Sequence, residues 1–220
     1  MADFPVFIAG HSLGASDASL YALSRVKRGL RVDGLYLFAC PRPGDAAVRS
    51  GLRPVPLIRS IKNIGDGVTD VPMDVHIKEQ GWAYCDANPF EHIHEEPSFL
   101  DYMTDPFFAH HHIDHYVNGV HKMPAEGGAI GLNEAVDLVA RLYDTADGWT
   151  WINPVDGLYW AMMTMPNGAR AMIRRGSKTG RDWFSEDFDF TQEEKYGAHV
   201  SRGFGAGVWP VEPQLDDALS

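Results

Sequence analysis

The sequence predicts a single α/β domain built on a mostly parallel sheet, from three features. Short apolar runs of strand length recur, at PVFIA (5–9), GLYLFA (34–39) and PLIRSIKN (56–63). A continuous apolar run bounded by turn residues suits a strand covered on both faces. A stretch of helical periodicity separates the first two runs, and strand–helix–strand is the unit of a parallel sheet. The chain has 220 residues, 45% hydrophobic and 22% charged, enough for one full-sized core.

Each element follows from local chemistry. PVFIA lies between Pro5 and Gly10. From Leu13 to Lys27 apolar residues fall at helical spacing, and the segment ends in basic residues and Gly29, both favourable at a helix C-terminus. Residues 64–122 lack periodicity and are rich in His, Asp and Pro, so they are expected mostly as loops at one end of the sheet. PAEGGAIG (124–131) has the composition of a flexible connector. Asn133 and Glu134 open a helix expected to run through Leu142. GLYWAMMTM (157–165) and ARAMIRR (169–175) flank Pro166-Asn167-Gly168, a strong hairpin signal. A final helix is expected from about Glu212. No internal repeat interrupts this order.

Bulk properties exclude several functions. A net charge of −11 argues against nucleic acid, which needs a basic face. No apolar run is long enough to cross a bilayer, and residues 5–9 lack the basic leader of a signal peptide, so a soluble chain is expected. Two cysteines, Cys40 and Cys85, cannot define a disulfide framework.

Gly10-His11-Ser12-Leu13-Gly14 has the spacing of a nucleophile elbow. Its glycines let strand and helix pass closely, leaving the Ser12 hydroxyl exposed at the strand's carboxyl end. Leu13, at the helix start, can offer its backbone N–H to an oxyanion. A nucleophilic serine needs a base, and the base an orienting carboxylate, in the chain order Ser, Asp, His. Asp66 follows a predicted strand through a short turn, and Asp70 competes with it. Ten histidines offer a base, densest in HHHIDHYVNGV (110–120), and composition does not choose among them. A metal site built from His92 and His94, or from His110, His112 and His115, with Glu95 or Asp114, is the rival use of these residues. The stretch has neither HExxH nor paired cysteines, so no metal is expected.

These segments resemble the class 3 (fungal-type) lipases of the α/β-hydrolase fold. FIAGHSLGAS resembles their elbow, with Ala15 where a second Gly is more usual, and YLFACPRPGD (36–45) resembles their strand and following loop. RSIKNIGDGVTDVP (59–72) is similar to the segment carrying the catalytic acid, and the match selects Asp66. IDHYVNGV (113–120) resembles the late segment carrying the base, and the match selects His115. The family's front half stands behind the elbow here. AMIRRGSKTGRDWFSEDFDF (171–190) resembles its RG-S/T loop and lid, and 199–220 resembles the stretch leading into the elbow, with Ser201 where His is usual.

The resemblance therefore implies one circularly permuted α/β-hydrolase domain over residues 1–220. Residues 1–120 correspond to the family's C-terminal half, 133–220 to its N-terminal half, and 121–132 join the two. It also implies a Ser12–Asp66–His115 triad without a cofactor. Leu13 and Ser177 would line the oxyanion hole, under a lid holding Trp183, Phe184 and Phe188 that meets lipid when open. The substrate would be an acylglycerol or similar fatty-acyl ester. A feruloyl esterase or phospholipase A1 on the same scaffold, a non-catalytic relic of the fold, and a metal-dependent hydrolase are the alternatives.

Overall fold

The computed structural model describes residues 4–73, 83–106, 108–125, 128–145, 147–155, 158–176 and 191–220. Its centre is a seven-stranded sheet ordered β4-β3-β2-β1-β7-β6-β5. The strands are β1 Val6–His11, β2 Gly34–Phe38, β3 Ile58–Asn63, β4 Glu91–Ile93, β5 Trp151–Val155, β6 Leu158–Thr164 and β7 Arg170–Arg174. β7, β1, β2, β3 and β4 are mutually parallel, while β5 and β6 join as antiparallel neighbours at one edge. A separate antiparallel pair is formed by β8 (Gln192–Lys195) and β9 (Ala198–Ser201).

Alternation along the central strands sorts their side chains into two cores. Val6, Ile8, Leu35, Leu37 and Met172 face one side, where α1 (Leu13–Lys27), α2 (Ala46–Leu52), α6 (Arg202–Ala206) and α7 (Glu212–Ala218) pack. Phe7, Ala9, Tyr36, Phe38 and Ile173 face the other, under α4 (Ile113–His121) and α5 (Leu132–Asp144). Both faces are covered, which is why these strands read as unbroken apolar runs rather than as alternating ones. Residues 13–25 of α1 are all buried. Polar groups on that helix therefore need partners: Tyr21 and Arg25 meet Asp216 of α7 at 2.9 and 2.8 Å, and Arg28, just past the helix end, reaches both Glu212 and Asp216.

The sequence-based strands, the long first helix, the 133–142 helix, the hairpin and the last helix all stand where they were expected. The segment 64–122, expected mostly as loops, also carries some regular structure among its described residues. It holds β4, α3 (Phe99–Thr104) and α4 besides two 3₁₀ turns. β4 is only three residues long, and α3 buries none of its residues, so neither carries enough apolar periodicity to be seen. Among the described residues no helix is long and apolar enough to cross a membrane. Cys40 and Cys85 are not joined in a disulfide.

Among the described residues, the Arg174–Asp17 ion pair is wholly buried. Arg174, at the end of β7, places Nε and Nη2 each 2.8 Å from Asp17 Oδ2 on α1, with both side chains inaccessible to solvent. Burial pushes the Asp17 carboxyl up to about 6 despite the guanidinium beside it. Such a pair is costly to break and cheap to replace whole. Arg174→Met should therefore lose about 3–5 kcal/mol in urea unfolding, and Asp17→Leu/Arg174→Met should lose less than the single variant. Equal losses would show that the charge pair is not what the single substitution disrupts.

Candidate active site

Ser12 occupies the turn from β1 into α1 with φ 60° and ψ −133°. A non-glycine residue is rarely held there, and such backbone strain persists only where surroundings enforce it. The enforcement is visible on both sides. The Ser12 N–H donates to the Phe38 carbonyl of β2 at 2.9 Å. A Cβ at Gly10 would stand 2.2 Å from the Gly14 carbonyl oxygen, and one at Gly14 would stand 2.4 Å from that of Arg174. Strand, helix and neighbouring strand thus meet backbone to backbone, and only glycine fits.

Asp66 follows β3 through a tight turn in which Gly65 takes φ 94°. Its side chain is 1% exposed, and Oδ1 accepts the Val68 N–H at 2.9 Å. Oδ2 accepts from the Tyr116 hydroxyl at 2.6 Å and stands 2.8 Å from His111 Nδ1. A carboxylate only accepts, so Nδ1 carries the imidazole proton and Nε2 is left basic. That Nε2 lies 2.7 Å from Ser12 Oγ, whose hydroxyl donates to it. Ser12, His111 and Asp66 therefore form one hydrogen-bonded series at the carboxyl ends of β1 and β3.

Burial alone would raise the Asp66 carboxyl, but His111 and the hydrogen bonds from His111, Tyr116 and Val68 outweigh it and hold it below the ordinary range. Asp70, the competing acid, is mostly exposed and pairs with Lys62 at 2.9 Å.

The imidazole in this series belongs to His111, not to the expected His115. His111 ends a 3₁₀ turn (Ala109–His111), and its N–H bonds to the Phe108 carbonyl at 2.8 Å. The turn is anchored to β3 because Asn63 Nδ2 donates to the His110 carbonyl at 3.1 Å. His115 lies one helical turn further on, inside α4, with Nε2 3.9 Å from Asp101 Oδ2. The sequence HHHIDH repeats histidine on both sides of the helix start, so motif matching slides by four residues without losing a histidine.

Leu13 is the first residue of α1, where backbone N–H groups have no partner within the helix. The expected Ser177, Trp183, Phe184 and Phe188 lie outside the described residues. Among the described residues no group of three or more His, Cys, Asp or Glu is placed to hold a metal ion. Tyr116 was not foreseen. It is fully buried on α4, and its oxygen accepts the Asn63 N–H at 3.1 Å while its proton goes to Asp66. In IDHYVNGV nothing distinguishes it from an ordinary core tyrosine.

A mixed α/β fold with a serine, histidine and aspartate in series at the sheet's carboxyl end defines a scaffold consistent with the α/β-hydrolases. Residues 1–76 match the family model of class 3 lipases, a segment that carries Ser12 and Asp66 and ends before His111. No curated protein and no solved structure matches the chain.

Tyr116→Phe tests the support of the acid. It removes one donor from Asp66 and strands the Asn63 N–H, so stability at neutral pH should fall by about 1–3 kcal/mol. Because the native Asp66 pKa is depressed, its stabilisation is present above the unfolded value and fades as pH falls through the native one. Losing a donor raises the native value, so the variant should lose Asp66's contribution at a higher pH than wild type. Acid unfolding followed by circular dichroism reads both effects.

Proposed function

We propose that the chain is a serine carboxylic-ester hydrolase acting on lipid esters. The supporting observation is the Ser12–His111–Asp66 series, with hydrogen bonds of 2.7 and 2.8 Å among buried side chains. Ser12 Oγ attacks the ester carbonyl carbon while its proton passes to His111 Nε2. The carbonyl electron pair moves onto oxygen, and Asp66 stabilises the imidazolium. The oxyanion is met by the Leu13 N–H at the start of α1 and by Ser177. Its collapse breaks the bond to the alcohol oxygen, which leaves with the proton from His111. Water then repeats the sequence on the acyl-serine and frees the acid. In this reading Trp183, Phe184 and Phe188 belong to a lid over the acyl group.

The lipase match over residues 1–76 supports a lipid ester as substrate. A feruloyl ester or a phospholipid would use the same chemistry, and the pocket would decide. The sheet also supports a permuted order. Read across the sheet as β5-β6-β7-β1-β2-β3-β4, its strands follow chain order with one break, between β7 and β1. Phe4, just before β1, and Ala218, at the end of α7, both meet Arg170 of β7. Rejoining 133–220 ahead of 1–120 would therefore need no rearrangement of the sheet.

Hydrolysis of p-nitrophenyl esters from acetate to palmitate tests the proposal, and the chain-length optimum separates lipase from esterase. Ser12→Ala and His111→Ala should each lower kcat by about 10³-fold or more, whereas His115→Ala should stay within about 3-fold of wild type. Full activity in Ser12→Ala would overturn the proposal. Equal losses in His111→Ala and His115→Ala would overturn the assignment of the base.

A further inference from the structure

A second pair of polar side chains, a buried histidine and a partly buried tyrosine, runs behind the nucleophile and takes no part in the proton transfers above. His11, the last residue of β1, is 3% exposed. Its Nε2 lies 2.9 Å from the backbone carbonyl of His111, and its Nδ1 lies 2.9 Å from the Tyr143 hydroxyl. The backbone N–H of Gly176 donates to the same Tyr143 oxygen at 3.0 Å. One group fixes the direction of the whole series. A carbonyl can only accept, so His11 Nε2 carries the proton and Nδ1 is an acceptor. The Tyr143 hydroxyl must then donate to Nδ1 while its oxygen takes the Gly176 N–H.

We propose that His11 and Tyr143 are positioning residues, a bridge that holds the turn bearing the base and the chain leaving β7 in register around Ser12. The inference rests on the serine-hydrolase reading. Both ends of the bridge are in contact with the reacting groups. At one end the bonded carbonyl belongs to His111 itself. At the other, Gly176 is pressed against the nucleophile, since a Cβ there would stand 2.8 Å from Ser12 Cβ and 2.6 Å from the His11 carbonyl oxygen.

The His11 ring also lies 4.8 Å from the His111 ring, tilted by 33°. His111 becomes cationic during attack, so a second cation at this distance would oppose the transition state. Burial first, and then the neighbouring His111, hold His11 well below its ordinary pKa, against the pull of Asp66. The hydrogen-bond series asks for the same neutral form, because a second ring proton would compete with the Tyr143 hydroxyl.

The test is a double-mutant cycle in Tyr143→Phe and His11→Phe, with kcat for p-nitrophenyl butyrate normalised to the sites that a p-nitrophenyl phosphonate titrates. Each single variant should lower kcat per titrated site roughly 10- to 100-fold, with KM within about 2-fold, because a small misplacement of the base is felt mainly in the transition state. The double variant should fall no further than the worse single one, since either change breaks the same bridge. A merely structural role would reduce the titratable fraction and leave kcat per site intact. Unchanged kcat per site, or losses that multiply in the double variant, would overturn the proposal. If His11→Phe does not fold, His11→Gln takes its place in the cycle. Wild-type protein that the phosphonate fails to titrate would instead overturn the serine-hydrolase reading, and the bridge's role with it.

Discussion

The Ser12 end of this fold depends on a backbone approach. α1 crosses β1 and β7 so closely that Gly10 and Gly14 have no room for a Cβ. That approach forces the sharp turn at Ser12 and its positive φ, and the turn lifts the hydroxyl off the end of β1. It also brings Arg174 and Gly176 alongside the elbow, so that β7 completes the site although it lies far from Ser12 in sequence. A larger residue at either glycine would separate helix from sheet, and the distances from Ser12 to His111 and to Gly176 would change together.

Buried polarity does the remaining positioning. Asp66 is desolvated, yet it stays anionic because Tyr116, Val68 and His111 all donate to it. Asn63 links these supports, since its backbone N–H meets Tyr116 and its side chain binds the turn that carries His111. Asp66, His111 and their anchors therefore gather around the end of β3. Further from the chemistry, the Asp17–Arg174 pair joins α1 to β7 within the core.

Much of this was legible in the sequence where one physical signal dominated. Doubly covered strands show as apolar runs, α1 as a helical period ended by basic residues, and the elbow as a glycine pair flanking a serine between the two. Position after a predicted strand left Asp66 and Asp70 both open, and only the family resemblance favoured Asp66. The histidine beside Ser12 was not legible, because four histidines occupy six positions at 110–115 and only the fold separates His111, in the turn before α4, from His115 within it. Tyr116 and Tyr143 were also out of reach. A tyrosine reads as core in any apolar period, and only the fold shows what its hydroxyl meets. β4 and α3 were missed because a three-residue strand and a helix that buries nothing leave no periodic mark.

The central claim is that Ser12 is a nucleophile activated within this fold, and covalent labelling tests it most directly. Native protein should react with a p-nitrophenyl alkylphosphonate at one equivalent per chain, release one equivalent of nitrophenolate, and carry the adduct on the peptide containing Ser12 by mass spectrometry. The denatured chain should not react. Modification at another residue, or no modification of the native protein, would contradict the account.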